Sequence, residues 1–133
     1  MRILVTGGAG YIGGTVARIL RRAGDSIVIY DNLCHAERRM VPAEAEFVEG
    51  DLADRARLET VLSSGIDGVI HCAALIEAGE SMAKPELYFR NNSANTLSLF
   101  EAMISTGVRR LVFSSTAAVY GEPDPTPIFE DAA

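Results

Sequence analysis

Three glycines spaced three apart, Gly7, Gly10 and Gly13, follow directly on the apolar run from Arg2 to Val5. They stand immediately before a stretch of helical period from Tyr11 to Ala23, with apolar residues at Ile12, Val16, Ile19 and Leu20. This juxtaposition leaves few folds open, because a strand that passes through a glycine turn straight into a helix is the opening unit of a parallel α/β sheet. Gly7 permits the tight turn, Gly10 leaves the backbone bare for close approach of a pyrophosphate, and Gly13 lets the helix pack on the strand. The start of the helix then turns its unpaired N–H groups toward a phosphate. A plain βα turn can use the same glycines, so the strand-turn-helix context carries the reading.

The rest of the chain repeats the alternation. Ser26 to Tyr30, Glu46 to Glu49, Gly68 to Cys72 and Arg110 to Ser114 are short apolar runs that predict four further strands. Asp54 to Ser63 predicts a helix with Leu58, Val61 and Leu62 on one face. Pro85 suits the first position of a longer helix ended by Gly107, with Leu97, Phe100, Met103 and Ile104 expected inward. The order is β-α-β-β-α-β-α-β, and continuous apolar runs suit strands covered on both faces. The expected fold is a Rossmann-like, doubly wound parallel sheet with strand order 3-2-1-4-5. From Gly121 to Pro127 the text is loop, and Ile128 to Ala133 forms no element.

Four more places carry chemistry. Asp31 closes the second strand, about twenty residues past the glycines, where a carboxylate can accept hydrogen bonds from ribose hydroxyls. It would repel a 2′-phosphate, which favours NAD over NADP, although Arg38 and Arg39 lie nearby. Asp51, after the third strand, can meet an adenine amino group or simply cap the following helix. At the end of strand four, Cys72, Ala73 and Ala74 are small enough for a ligand to lie against the backbone, and His71 suits a packing role. At the end of strand five, Ser114, Ser115 and Thr116 place hydroxyls where open α/β sheets bind ligands, unless they serve only the turn.

Composition limits the partners. With 133 residues there is room for one domain and a sizeable core. A formal net charge of −6, with the basic residues scattered as doublets, argues against a nucleic-acid binder. No apolar stretch reaches the length of a membrane span, and the first residues lack a signal-peptide pattern, so a cytoplasmic protein is expected. Cys34 and Cys72 lack metal-ligand spacing, and free thiols with no metal site are expected.

Taken together, residues 5–14 (VTGGAGYIGG), 30–33 (YDNL), 49–52 (EGDL), 68–75 (GVIHCAAL), 79–92 (GESMAKPELYFRNN) and 113–123 (FSSTAAVYGEP) resemble the extended short-chain dehydrogenase/reductase family, most closely its nucleotide-sugar epimerases. The block at 79–92 is the most specific, since other dinucleotide-binding domains lack it. The resemblance implies that Gly7, Gly10, Tyr11, Ile12 and Gly13 hold the NAD pyrophosphate. Asp31 and Asn32 would take the adenosine ribose, Asp51 and Leu52 the adenine. Cys72, Ala73, Ala74, Leu75, Asn91 and Ser114 would complete the cofactor site. Thr116 would be the catalytic hydroxyl, bonded to the 4-OH of a UDP-hexose substrate while the sugar is oxidised and re-reduced at C4. Ala117 and Ala118 stand where the family's dehydratases carry an acidic pair, which favours epimerisation. A homodimer is implied for the whole protein.

Two positions depart from the family pattern. Ile76 stands where bacterial members often have lysine. No tyrosine is followed four residues on by a lysine: Thr15, Cys34, Asn92 and Asp124 occupy those places, and Lys84 is the only lysine. The Tyr-x-x-x-Lys pair that lowers the phenol pKa and removes the sugar proton is thus expected beyond Ala133, and residues 1–133 form a dinucleotide-binding domain incomplete at its C-terminal end. Such a chain alone would be inactive. Another nucleotide-sugar epimerase or reductase, or a non-catalytic NAD-binding module, are the alternatives.

Overall fold

The computed structural model describes residues 1–121 and 127–129. The chain runs β1 (Arg2–Thr6), α1 (Tyr11–Arg22), β2 (Ser26–Asp31), β3 (Glu46–Glu49), α2 (Arg55–Leu62), β4 (Gly68–His71), α3 (Ala78–Ala83), α4 (Pro85–Phe89), α5 (Asn95–Thr106) and β5 (Leu111–Phe113). A π-helical turn, Arg90–Ala94, joins α4 to α5, with the Asn95 N–H bonded back to the Arg90 carbonyl. Short 3₁₀ turns occupy Arg38–Met40 and Ala117–Tyr120. The five strands form one parallel sheet in the order β3-β2-β1-β4-β5. The expected alternation, fold class and strand order are all present. The loop expected across residues 122–126 and the tail at 130–133 lie outside the described residues.

The sheet is covered because its strands alternate. Leu4, Val28, Tyr30 and Val69 point to one face and pack with Leu58 and Leu62 of α2 and Leu99, Ala102 and Met103 of α5. Ile3, Val5, Ile27 and Ile29 point to the other face and pack with Ala17 of α1 and with Val41 and Ala45 of the β2–β3 connection. Leu4, Val5, Val28, Ile29, Leu58 and Leu99 expose nothing to solvent, so each contributes roughly 1.5–3 kcal/mol of burial. Asp54 caps α2 by accepting from the Arg57 N–H at 3.0 Å.

One expectation about a helix face is corrected. Leu97 and Ile104 of α5 point outward, 56 % and 80 % exposed, and the buried stripe is Thr96, Leu99, Ala102 and Met103. The cause is polar: Thr96 turns inward to meet the buried His71 (below), which rotates the neighbouring apolar stripe toward solvent. On α1, Gly13, Gly14 and Ala17 form the buried face while Ile12 and Ile19 are exposed, because only small residues let this helix approach the sheet closely. At the sheet edge, Leu111, Val112 and Phe113 of β5 are 38 %, 61 % and 49 % exposed.

Candidate functional site

The carboxyl ends of β1, β2 and β4 open onto one cleft, because all strands run parallel and the order reverses between β1 and β4. The glycine turn forms its floor. Gly7 has φ +69°, and a Cβ there would lie 2.6 Å from the Ala73 N. A Cβ at Gly13 would collide with the Gly7 carbonyl oxygen, so the start of α1 can sit on the turn only as glycine. Gly10 is different: the nearest atom to a Cβ there is the Gly7 oxygen at 3.3 Å, so it leaves open backbone rather than a packing contact. Gly14 makes the first helical bond, to the Gly10 oxygen at 2.9 Å. The N–H groups of Tyr11, Ile12 and Gly13 therefore have no acceptor among the described residues, which leaves the donor end of α1 bare.

Asp31 ties the second wall to the first. Its Oδ2 accepts from the Ala9 N–H of the glycine turn at 3.0 Å, and its Oδ1 from the Leu33 N–H at 2.8 Å. Leu33 adopts φ +58°, a left-handed conformation that costs a non-glycine residue roughly 1–2 kcal/mol. That bend, with the Cys34 N–H on the Asn32 side chain, brings Cys34, His35 and Ala36 over the cleft. The Asn32 amide donates to Asp51 Oδ2 at 2.7 Å, and Asp51 Oδ1 accepts from the Ala53 N–H at 2.8 Å. Asp51 is thus the head of a turn bonded to β2's exit; the cap of α2 is Asp54. Beneath them Tyr30 is 1 % exposed and donates its hydroxyl to the Asp51 carbonyl at 2.9 Å. Burial pushes its phenol up to about 12, so it is no base at neutral pH.

The third wall is the segment after β4. Asn92, in the π-helical turn, accepts from the Leu75 N–H at 2.9 Å and donates to the Leu75 carbonyl at 2.8 Å. Asn91 donates to Asn92 at 2.8 Å and reaches the cleft. The wider turn, of a kind frequent at functional sites, lets two consecutive asparagines serve one loop. Behind this wall His71 is 3 % exposed, with Nδ1 2.6 Å from Thr6 Oγ1 and Nε2 2.9 Å from Thr96 Oγ1. Desolvation lowers its pKa to about 4, so the ring is neutral and joins β1, β4 and α5, as a packing residue should. Burial also raises the Cys72 thiol, and burial is the main reason the Cys34 thiol is raised, which keeps both from acting as thiolates.

Of the residues singled out in the sequence, Gly7, Gly10, Tyr11, Ile12, Gly13, Asp31, Asn32, Leu52, Cys72, Ala73, Ala74, Leu75 and Asn91 line this groove. Asp51 braces it through Asn32. Ser114 and Thr116 lie apart, exposed beyond β5: the Ser114 N–H bonds the His71 carbonyl at 3.0 Å, and the Thr116 hydroxyl accepts from the Ala118 N–H at 3.2 Å. The sequence reading missed Cys34, His35 and Ala36, whose only signal is their place after YDNL, and Asn92, which the NN pair contained. The groove comprises adjoining cavities of about 120 and 410 Å³, the scale of cofactor clefts, roughly 300–1,000 Å³. Among the described residues no cluster could hold a metal ion, and no helix is long and apolar enough to cross a membrane. Bare helix donors, an open glycine and a carboxylate at the ribose position suit a dinucleotide, and they fit NAD without alteration.

Comparison with known proteins agrees with that chemistry. The family model described as "NAD dependent epimerase/dehydratase family" matches residues 3–133. A UDP-glucose 4-epimerase of Streptomyces lividans is 50 % identical over 133 residues, which are 98 % of this chain and 40 % of that protein. One from Klebsiella pneumoniae is 44 % identical over 138 residues, 98 % of this chain and 99 % of the relative. The crystal structure of UDP-glucose-4-epimerase from Stenotrophomonas maltophila with bound NAD and formylated UDP-arabinopyranose superposes with a TM-score of 0.91 at 40 % identity, over 100 % of this chain and 42 % of that one. The chain thus spans about 40 % of the length of the Streptomyces relative. With the sheet, the glycine turn and the sequence match in agreement, this chain belongs to the NAD dependent epimerase/dehydratase family.

Proposed function

We propose that residues 1–133 are the NAD-binding part of a UDP-glucose 4-epimerase, which interconverts UDP-glucose and UDP-galactose by transient oxidation at C4 of the sugar. The observation that carries the reading is the groove in which the bare N-terminus of α1, Asp31 and the Ala73–Leu75 segment converge. The identity to UDP-glucose 4-epimerases supports the substrate.

The residue roles are those that membership of the family implies, and the chemistry of each side chain suits them. The N–H groups of Tyr11, Ile12 and Gly13 bind the pyrophosphate, with Gly7 and Gly10 giving it access to the main chain. Asp31 and Asn32 accept and donate at the adenosine ribose, and the Asp31 carboxylate disfavours a 2′-phosphate. Leu52, beside Asp51, walls the adenine. Cys72, Ala73, Ala74 and Leu75 carry the rest of the cofactor, with Asn91 contacting it from the turn before α5 and Ser114 from the end of β5. NAD, held by these residues, would supply the hydride acceptor and donor for oxidation and re-reduction at C4 of the sugar. Thr116 holds the 4-OH by a hydrogen bond as its proton leaves. The proton acceptor is not among residues 1–133, where no Tyr-x-x-x-Lys pair occurs, so these residues alone are expected to turn over no UDP-sugar. We read the whole protein as a cytoplasmic homodimer; the exposed Leu97 and Ile104 on α5 support a helix-to-helix contact.

Two measurements test this. Calorimetry with NAD should give one site per chain, and a folded sample without heat refutes the cofactor role. The product of the whole reading frame should convert UDP-galactose to UDP-glucose, and turnover confined to other nucleotide sugars refutes the substrate.

A further inference from the structure

A second cleft lies between the last turns of α1 and the connection from Arg38 to Glu44. It has a volume of about 550 Å³, and it shares no lining residue with the cofactor groove. Arg18, Arg21 and Arg22 of α1 line it, together with Arg39 and Glu44 from the connection. Four of the chain's twelve basic side chains thus meet in one place on a protein whose net charge is −6.

Two of these guanidiniums are positioned by the main chain. Arg18 Nη2 donates to the Met40 carbonyl at 2.9 Å, and Arg21 Nη1 to the Asp25 carbonyl at 3.3 Å. Among the described residues, Arg18, Arg21 and Arg22 take part in no ion pair. Arg39 is held by Glu37 at 2.8 and 2.9 Å. The Arg21 Nε is buried and lacks an acceptor among the described residues. The negative end of α1 explains basic residues in its last turn, Arg21 and Arg22. It does not explain Arg18, a turn earlier, or Arg39, which comes from another element.

We propose that this cleft binds a multivalent phosphate anion, diphosphate or larger. Guanidinium forks match phosphate oxygens in pairs, which a compact halide cannot exploit. Glu44 on the lining and Glu37 on Arg39 offset two of the four positive charges, and the two that remain favour a multivalent anion over a monovalent one. The volume exceeds that of a single small ion. The site needs nothing from the cofactor reading.

The test is calorimetry of inorganic pyrophosphate with the full chain at fixed ionic strength, with and without saturating NAD. One site per chain is expected, unaltered by NAD and at least tenfold tighter than inorganic phosphate. Arg18→Gln with Arg39→Gln should weaken it at least tenfold. Arg22→Gln, which removes no hydrogen bond the structure shows, should weaken it several-fold while leaving the unfolding curve unchanged. Wild-type affinity in both variants, loss of pyrophosphate binding on adding NAD, or equal affinity for pyrophosphate and phosphate would overturn the proposal.

Discussion

Acidification should destabilise this protein through His71 in a measurable window. The ring is buried between Thr6 and Thr96, stacks near Phe113 with centroids 5.4 Å apart, and has no carboxylate bonded to it. Its pKa falls from 6.5 to about 4 because burial disfavours the charged ring. The unfolded chain therefore takes up a proton below pH 6.5 that the folded chain refuses until about pH 4. Stability from this group is complete above 6.5, declines as pH falls, and is gone near 4. At about 1.4 kcal/mol per pH unit, the loss across the window is about 3 kcal/mol. Urea unfolding of wild type and His71→Gln, in half-unit steps from about pH 7.5 to 4, isolates it. Carboxylates titrate in both proteins and cancel, so the wild-type advantage should shrink by about 3 kcal/mol on acidification. Parallel stability curves would show that burial does not hold this imidazole neutral.

Three other outcomes are expected. Gly7→Ala should cost at least about 2 kcal/mol in urea unfolding and abolish NAD heat, since it combines φ +69° with a collision on the Ala73 backbone. Asn92→Ala should destabilise by about 1–3 kcal/mol by orphaning the Leu75 N–H and C=O, and should speed amide exchange at residues 73–75; unchanged exchange would deny it the bracing role. The 133-residue chain should self-associate through the exposed β5 edge, and Val112→Lys should raise its monomer fraction in size-exclusion chromatography.

The alternation of apolar runs made the sheet legible in the sequence, because each strand is short and the central ones, β1, β2 and β4, are mostly buried. The groove was legible at the glycine turn and Asp31 for a similar reason: residue type there is dictated by backbone geometry. The α5 face was not. Its buried stripe contains Thr96 and Ala102, while a more apolar stripe through Leu97 and Ile104 faces outward. Periodicity counts hydrophobicity and cannot know that a buried imidazole one strand away needs a hydroxyl. The Ala78–Ala83 helix was equally hidden, since none of its residues is buried and its composition carries no apolar face. The bend at Leu33 escaped because a left-handed leucine has no local signature; Asp31 and Asn32 impose it by hydrogen bonding from behind.

The sheet order also sets a sequence of assembly. Of the five strands the earliest is the central one: β1 pairs with β2 only 24 residues on, as Arg2 opposite Ser26, but with β4 at a separation of 65, as Ile3 opposite Gly68. Each later strand joins an edge that already exists, β3 on β2 and β5 on β4. Until β4 emerges from the ribosome, Leu4 and Val5 have a paired neighbour on one side only, and the β1 edge stays open to other chains. A growing chain of this kind carries the open β1 edge until residues 68–71 have emerged, which makes that interval the time when a chaperone has most to shield.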